Sequence, residues 1–271
     1  MGAPAGAPFC IASVLCFTAD EAVWYDGQVQ NKYGEHPPHP LDIPAPMGHN
    51  KQVKHFSTLM RQNGGHPMIA IIDYGMGNLR SVQKAFEYLG YEAVITDSAD
   101  MIAAASHVIL PGVGAFEDAM KRIRETKLDQ ALLSAAKAGK PVLGICLGMQ
   151  MMFEYSEENG HFEGLGLFPG TVTRFVDCGL KVPHMGWNTL TTRDCPLFDA
   201  GDDPCVYFVH SYCMADVSDE WTAATCTYGQ TFTAAICKGN VMATQFHPEK
   251  SGEAGLKMLK RFAEWKGASA C

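Results

Sequence analysis

A cysteine flanked by two glycines is the residue of this 271-residue chain best suited to covalent chemistry. In Gly144-Ile-Cys146-Leu-Gly148 it stands at the end of a short apolar run and before a predicted helix. A tight turn from strand to helix needs glycines where two backbones approach too closely for a β-carbon. Such a turn projects the sulfur from the carboxyl edge of a sheet, and free N–H groups at the helix start favour the thiolate. The pattern therefore predicts a nucleophilic Cys146.

A histidine and a glutamate two residues apart supply the proton chemistry that a thiolate nucleophile requires. His247, Pro248 and Glu249 directly follow a predicted strand. In extended backbone residues i and i+2 point the same way, and the proline is expected to keep this segment from coiling into a helix. We therefore predict that the Glu249 carboxylate orients the His247 imidazole, which exchanges protons with Cys146.

Attack of a thiolate on a carbonyl group creates an anionic oxygen that needs hydrogen-bond donors. The backbone N–H of Leu147, directly after the cysteine, is one predicted donor. The segment Leu110-Pro-Gly-Val-Gly114, at the end of a neighbouring strand, is a second candidate source. As a tight turn it could also serve to start the next helix, and the two roles are compatible. These residues together predict acyl transfer through a covalent cysteine intermediate.

The elements that position these residues alternate between strand and helix in the first part of the folded region. Short apolar runs predict buried strands at 68–73, 91–96, 107–110 and 141–145. Apolar stripes predict helices at 79–89, 115–124 and 128–138, and Gly90 and Gly139 close the first and the last of them. Strands that alternate with helices indicate parallel βαβ units and therefore an open, doubly wound α/β sheet.

The second half of the chain contains strand candidates with few helices between them. They lie at 171–175, 187–192, 206–211, 223–228, 234–237 and 241–246, and a last helix is predicted at 252–265. Lys238-Gly239-Asn240 is typical of a hairpin turn. We therefore expect a mixed sheet in one α/β domain, with added antiparallel strands in the C-terminal half.

The first 67 residues differ in composition from the rest. They contain eight of the 15 prolines and five histidines at irregular spacing, without clustered acidic or cysteine partners. Prolines at this density block regular elements, so we expect a poorly ordered extension without a metal site, with at most local structure at 22–25. The predicted domain spans residues 68–271.

Bulk properties exclude several classes of function. A formal net charge of -8 disfavours a general nucleic-acid binder. No apolar run approaches the roughly 20 residues of a membrane helix, and no Lys or Arg precedes the apolar stretch at 9–17, which disfavours a secretory signal. The ten cysteines are scattered without zinc-site spacing. We expect reduced thiols, a cytoplasmic protein, no metal and no cofactor.

With the cysteine, histidine and glutamate placed, residues 68–271 resemble the class I glutamine amidotransferases. The resemblance is strongest to the glutaminase subunits of imidazole glycerol phosphate synthase. It rests on separated motifs: Asp73-Tyr-Gly-Met-Gly-Asn78, Pro111-Gly-Val-Gly114, Gly144-Ile-Cys-Leu-Gly-Met-Gln150, Pro183-His-Met-Gly-Trp-Asn188, Tyr207-Phe-Val-His-Ser-Tyr212 and Gln245-Phe-His-Pro-Glu-Lys-Ser251. In that family the chain begins at the equivalent of Met68, so residues 1–67 depart from the pattern.

The resemblance implies a function and a partner. The chain would hydrolyse L-glutamine, and ammonia would pass through an internal channel to a (β/α)8-barrel cyclase that makes imidazole glycerol phosphate and an aminoimidazole carboxamide ribotide. A sealed route would keep ammonia from protonation in water. Two alternatives stay open: another class I amidotransferase or related cysteine hydrolase, and a catalytically silent scaffold.

The resemblance also assigns roles to single residues. Glutamine would be held by Gln150, Ser211 and Tyr212, with Glu158 near its α-amino group. Gly112 and Val113 resemble the strand that stabilises the oxyanion. Contacts with the cyclase are assigned to four residues: Asn78, Met185, Trp187 and Lys250. From composition alone Trp187 could equally be a core residue, and His184 and His210 are expected to be structural.

Overall fold

The computed structural model describes residues 23–25, 28–30, 67–175, 179–215 and 217–267, with only the backbone at 23–25, 28–30 and 215. Strands β1 (Val23–Tyr25) and β2 (Gln28–Gln30) pair antiparallel in a unit separate from the one that contains residues 67–267. The five histidines of the N-terminal segment lie outside the described residues. The poor order of residues 1–67 and the boundary at residue 68 therefore stay predictions.

From residue 68 to 146 strands and helices alternate, as the sequence predicts. The elements are β3 (Met68–Ile72), α1 (Leu79–Tyr88), β4 (Glu92–Thr96), α2 (Ala99–Ala104), β5 (His107–Gly112), α3 (Phe116–Glu125), α4 (Leu128–Lys137) and β6 (Val142–Cys146). Helix α2 was not predicted, because six residues are too short for a visible apolar stripe. It begins after Ser98, whose hydroxyl accepts a hydrogen bond from the N–H of Met101 at 3.4 Å.

The second half contains mostly strands, with three helical segments among its described residues. Its elements are α5 (Leu147–Met151), β7 (Phe153–Ser156), β8 (Phe162–Glu163), β9 (Phe168–Arg174), β10 (His184–Thr192), β11 (Cys205–His210), β12 (Tyr212–Ala215), β13 (Thr222–Tyr228), β14 (Gln230–Lys238), β15 (Val241–Thr244), a 3-10 helix (Pro248–Lys250) and α6 (Gly252–Glu264). None of the described helices is both long and apolar enough to cross a membrane.

One mixed sheet of nine described strands organises the domain. Its order is β11-β10-β13-β14-β15-β6-β5-β3-β4. Strands β4, β3, β5, β6 and β15 run parallel to one another, whereas β14, β13, β10 and β11 extend the sheet in antiparallel pairing. Lys238 pairs with Val241, so the predicted turn at Gly239 and Asn240 is confirmed. The predicted α/β class, with antiparallel strands added late in the chain, is confirmed too.

A second, four-stranded sheet was not predicted. Its order is β12-β9-β7-β8. Strand β7 starts one residue after α5 with no Gly or Pro between them, and β12 follows β11 after the single residue Ser211. Without a turn signal, the sequence gives no reason to separate these segments from their neighbours. The chain thus changes from one sheet to the other at Ser211.

Both faces of the parallel part of the large sheet are buried, which explains the continuous apolar runs of strands such as β3 and β6. Along β3, Met68, Ala70 and Ile72 belong to one hydrophobic core, and Ile69 and Ile71 belong to the other. The first core contains α2, α3, α4 and the small sheet, and the second contains α1 and α6. This two-sided packing fixes the carboxyl ends of β5, β6 and β15, where the candidate site lies.

Candidate active site

Cys146 sits at the turn between β6 and α5 with a backbone that few non-glycine residues adopt. Its φ is 55° and its ψ is -111°, far from the left-handed helical region. Such a conformation costs roughly 1–3 kcal/mol and persists only where the surrounding structure imposes it. The side chain is held near the carbonyl oxygen of Val209, 3.9 Å from Sγ. The predicted nucleophile elbow is therefore present.

The two glycines around the cysteine have the predicted steric reason. A β-carbon on Gly148 would collide with the carbonyl group of Leu110 in the neighbouring strand β5. A β-carbon on Gly144 would lie 3.0 Å from the carbonyl oxygen of Gly148 and 3.0 Å from the nitrogen of Met149. Both positions thus let helix α5 start directly against the sheet.

His247 and Glu249 are buried next to each other. Nδ1 of His247 lies 2.8 Å from Oε1 of Glu249, and their side chains are 2% and 1% exposed. Burial by itself lowers the pKa of His247, but its interactions with Cys146 and Glu249 outweigh this effect and raise the pKa to about 9. Nε2 is buried and makes no hydrogen bond among the described residues, so this ring atom is free for proton exchange.

The expected local structure of this segment is wrong in one respect. We predicted that Pro248 would keep residues after His247 from coiling, yet Pro248–Lys250 forms a 3-10 helix. The fixed φ of proline suits the first position of a helix, where its missing N–H is not needed. His247 itself is extended, and the helix turns Glu249 back beneath the imidazole.

The same segment is fastened to the edge strand β11. The N–H of His247 donates to the carbonyl oxygen of Tyr207 at 3.0 Å, and the N–H of Tyr207 donates to the hydroxyl of Ser251 at 3.0 Å. The Ser251 hydroxyl in turn donates to the carbonyl oxygen of His247 at 2.6 Å. These bonds fix the imidazole relative to the sheet.

A cavity of about 420 Å³ opens over the sulfur of the cysteine. Its lining brings together most of the predicted site residues: Val113, Cys146, Leu147, Gln150, Glu158, Ser211, Tyr212 and His247. Of the other predicted site residues, Glu249 lies behind His247, and Gly112 is the register partner of Cys146 across β5 and β6. This volume is of the size that suits a small-molecule ligand.

Two of the residues assigned to glutamine also make bonds within the protein. Gln150 donates through Nε2 to the carbonyl oxygen of Tyr212 at 3.3 Å and to Oε1 of Gln245 at 3.0 Å. Oε2 of Glu158 accepts the N–H of Phe116 at 2.8 Å, which caps the start of α3. The carboxylate of Glu158 is therefore fixed at the cavity rather than free in solvent.

The predicted oxyanion segment lies against the start of α5. A β-carbon on Gly112 would come within 2.8 Å of the Gly148 nitrogen and 2.9 Å of the Tyr74 hydroxyl. Leu147 is the first residue of α5, so its N–H has no partner inside the helix. Val113 is 40% exposed beside the cavity. The two predicted donor segments thus lie next to each other beside Cys146.

The residues assigned to a partner differ in what they contact within the chain. Met185 and Trp187 are 62% and 57% exposed on β10, which excludes a core role for Trp187. Its ring meets that of Tyr207 edge-on at 6.1 Å, and Nζ of Lys250 lies 6.0 Å from the same Tyr207 ring. Asn78 stands directly before α1, where its side-chain oxygen accepts the hydroxyl of Ser81 at 2.8 Å.

Sequence reasoning missed three residues next to the site. Gln245 is fully buried and its Nε2 lies 3.7 Å from the sulfur of Cys146. The buried Tyr74 donates its hydroxyl to the carbonyl oxygen of Pro111 at 3.0 Å. His210, expected to be only structural, lines the cavity. All three stand within motifs already singled out, but nothing in the sequence indicates their contacts in the folded chain.

Comparison with protein families defines the class of this chain. Residues 70–265 match the family model described as glutamine amidotransferase class-I. The chain belongs to the class I glutamine amidotransferase family, as its motifs and its mixed sheet predict.

Two relatives within the family are named for the same enzyme. The chain is 51% identical over 199 residues to imidazole glycerol phosphate synthase subunit HisH of Oceanobacillus iheyensis, a match that covers 73% of this chain and 98% of the relative. It is also 51% identical over 207 residues to the protein of the same name from Syntrophotalea carbinolica, covering 73% and 100%.

Solved structures agree on the fold. A crystal structure of a glutamine amidotransferase superposes with a TM-score of 0.59 at 18% identity and covers 72% of this chain and 98% of that one. A chain from the structure of PurLQS from Thermotoga maritima gives 0.58 at 22% identity, covering 73% and 97%. At these identities the likeness is one of fold alone.

Proposed function

We propose that this chain is the ammonia-producing subunit of an imidazole glycerol phosphate synthase, with Cys146, His247 and Glu249 as its catalytic residues. One observation carries the proposal: a strained cysteine shares a cavity with a histidine whose Nδ1 is held by a buried carboxylate. The names and identities of the HisH relatives support the choice of this enzyme within the family.

The first half of the reaction forms a thioester. The Cys146 thiolate attacks the side-chain amide carbon of glutamine, and the C=O electron pair moves to the oxygen. Backbone N–H groups of Leu147 and of the Gly112–Val113 segment stabilise this anion. His247, which with a pKa of about 9 holds its proton at neutral pH, gives that proton to the amide nitrogen. The C–N bond breaks and ammonia leaves.

The second half releases glutamate. Deprotonated His247 takes a proton from water, and the hydroxide attacks the thioester carbon. The C–S bond breaks and the sulfur leaves as thiolate, while Glu249 stabilises the imidazolium that forms. The same histidine therefore serves first as acid and then as base. Gln150, Ser211, Tyr212 and Glu158 hold the substrate in the cavity.

The expected partner is a (β/α)8-barrel cyclase, which consumes the ammonia. Met185, Trp187 and Lys250 are exposed and suited to contact it, and Asn78 is a fourth candidate contact. Exposed aromatic residues are common anchors of protein interfaces. We expect the assembly to work in the cytoplasm and to need no cofactor.

The test measures glutamate release by purified full-length protein, alone and with the cyclase and its nucleotide ligand. We expect release that increases with the cyclase present. Release without any response to the cyclase would favour another amidotransferase or a cysteine hydrolase. No release under either condition would favour a silent scaffold. We do not expect this result, because a scaffold does not need a buried histidine oriented by a carboxylate beside a strained cysteine.

A further inference from the structure

Two buried histidines face each other across β10 and β11 beside the candidate active site. His184 and His210 are register partners, and they are 2% and 6% exposed. Nδ1 of His184 lies 2.9 Å from Nε2 of His210. The proposed reaction uses neither ring. Buried polar rings destabilise a fold unless their nitrogen atoms are hydrogen-bonded, so the partners of both rings decide what the pair can do.

The hydrogen bonds of this pair allow a single arrangement of protons. Nδ1 of His210 lies 2.8 Å from the carbonyl oxygen of Tyr212, which can only accept, so this nitrogen carries the proton. Nε2 of His210 must then accept from His184, and Nε2 of His184 must accept from the Asn188 amide at 3.3 Å. The same amide nitrogen donates to the carbonyl oxygen of Thr227 at 3.1 Å. Every ring nitrogen therefore has a partner.

Both rings are neutral and immobilised. Burial lowers the pKa of His184 to about 4 and that of His210 to about 3. His184 is stacked between Tyr228 and Phe208, with ring centroids at 4.0 and 4.6 Å. A neutral ring in such a stack can neither rotate freely nor act as an acid near neutral pH. The pair is thus a rigid polar link rather than a proton carrier.

This link ends at the backbone carbonyl group of Tyr212, a cavity-lining residue. The oxygen of Tyr212 accepts from His210 and also from Nε2 of Gln150. Gln150 bonds to Gln245, and Gln245 donates towards the sulfur of Cys146. A continuous set of hydrogen bonds therefore runs from the histidine pair to the reacting atom.

We infer that His184 and His210 are positioning residues, which hold the Tyr212 carbonyl and the cavity wall at residues 210–212 in one orientation relative to Cys146. The inference rests on the proposed glutamine site. Packing alone would not require two imidazoles, because leucine or phenylalanine could fill the same aromatic surroundings. What the pair controls is the approach of the bound substrate to the sulfur, not the reactivity of the sulfur itself.

The test compares the rates at which two reagents alkylate Cys146 in the full-length chain. Each rate is measured by mass spectrometry of the peptide that contains Cys146. Iodoacetamide reports the reactivity of the sulfur, whereas a chloroketone analogue of glutamine must also fit the cavity wall. His210→Leu removes both hydrogen bonds and should slow the analogue roughly tenfold relative to iodoacetamide. His210→Asn keeps an N–H group near Tyr212 and should retain most of the parent ratio.

Two further variants separate positioning from general loss of stability. His184→Phe keeps the ring stack but leaves Nε2 of His210 without its donor, so the analogue should again react more slowly relative to iodoacetamide. His107→Asn is the matched control: His107 is 4% exposed and bonds through Nε2 to the carbonyl oxygen of Trp265 at 2.7 Å, outside this network. Its substitution should lower the melting temperature without changing the ratio.

The inference is overturned if His210→Leu and His184→Phe both keep the parent ratio, if His210→Asn is no better than His210→Leu, or if the control lowers the ratio equally. Should His210→Leu not fold, His210→Asn and His184→Phe decide. The proposed function fails in a different way. In that case Cys146 of the parent protein would react no faster with the chloroketone analogue than with iodoacetamide, or added glutamine would not protect Cys146 from the analogue.

Discussion

The parallel and antiparallel halves of the large sheet contribute different things to the candidate site. Cys146 ends β6, Gly112 ends β5 and His247 follows β15, so the parallel half provides the groups proposed to react. The antiparallel pair β10 and β11 provides part of the cavity wall, through Val209 and His210, and also carries the exposed Met185 and Trp187. Under the proposed function, chemistry and recognition therefore come from separate parts of one sheet.

The difference follows from how strands meet. Carboxyl ends of adjacent parallel strands lie at one edge of a sheet, so residues that follow them converge without any special pairing. In the antiparallel half, the proposed positioning depends on the register of segments distant in sequence, such as His184 opposite His210. Substitutions in the parallel half should therefore affect the chemical step, and those in the antiparallel half should affect binding.

The largest effect is expected at the nucleophile. Cys146→Ala should reduce glutamine-dependent turnover by roughly 10⁴-fold or more, because no thioester can form. Cyclization with externally supplied ammonia should persist in the complex. Joint loss of both activities would mean that the cysteine is structural, and the assignment of the chemistry to the parallel half would then fail.

The next largest effect concerns the acid that orients the histidine. Glu249→Gln should lower kcat roughly 100-fold or more, by analogy with other triads. Glu249 helps to raise the pKa of His247 above its ordinary 6.5 to about 9, so the activity of the parent should decline above about pH 9 and that of the variant at lower pH. Because the pKa of His247 is higher in the folded than in the unfolded chain, its protonated form contributes to the free energy of unfolding. This contribution is complete below pH 6.5 and is lost as the pH rises through about 9. An unchanged alkaline limb in the pH profile of kcat would contradict this role.

The elbow itself should be sensitive to a single methyl group. Gly148→Ala places a β-carbon against the Leu110 carbonyl and should lower the free energy of unfolding by about 2–3 kcal/mol in denaturant titration. Gly139→Ala is a suitable control, since its φ is 79° but no atom lies within 4 Å of the added carbon. It should lose only about 1 kcal/mol. Equal losses would show that contact with β5 is unimportant.

A smaller and different effect is expected on the antiparallel half. Trp187→Ala should weaken binding of the cyclase about tenfold in calorimetry, with the melting temperature of the free chain unchanged because the side chain is largely exposed. Tyr88→Ala, at an exposed position on α1, serves as the control and should leave affinity unaltered. If both variants bind equally well, the recognition role of β10 is refuted.

The smallest effect is expected outside the sheet altogether. A chain that starts at Met68 should keep its glutamine turnover within about twofold, because the predicted domain contains every proposed site residue. Glutamate release by the two forms of the protein checks this. A shortened protein that folds but does not turn over glutamine would assign residues 1–67 a part in the reaction.

The sequence predicts the parallel half well and the antiparallel half only in outline. Runs such as 68–73 and the glycines around Cys146 have local causes, namely two-sided burial and close backbone approach, and these causes are visible in the residues themselves. The small sheet, the contact between Tyr74 and Pro111 and the bond from Gln245 to Cys146 depend on segments brought together from far apart. No local sequence pattern predicts such contacts between distant segments.

The roles of single antiparallel residues show the same limit. Trp187 could not be distinguished from a core residue by its neighbours in sequence, and His210 had no signal beyond its place near a strand. The exposure of alternate residues on β10 shows that Trp187 is not a core residue. The hydrogen bond from His210 to the carbonyl oxygen of Tyr212 indicates the positioning role proposed for His210. Both facts belong to strand register, which residue types alone do not determine.

The bonds between the His247 segment and Tyr207 have a consequence for how copies of the protein behave in a crowded solution. Strand β11 is the last strand of the large sheet, and unpaired strand edges invite pairing with other chains. His247 and Ser251 occupy the outward N–H and C=O groups of Tyr207, so the loop that holds the proton carrier also shields the rim of the sheet. At Tyr207, these bonds leave no free backbone group on the edge strand with which another chain could pair.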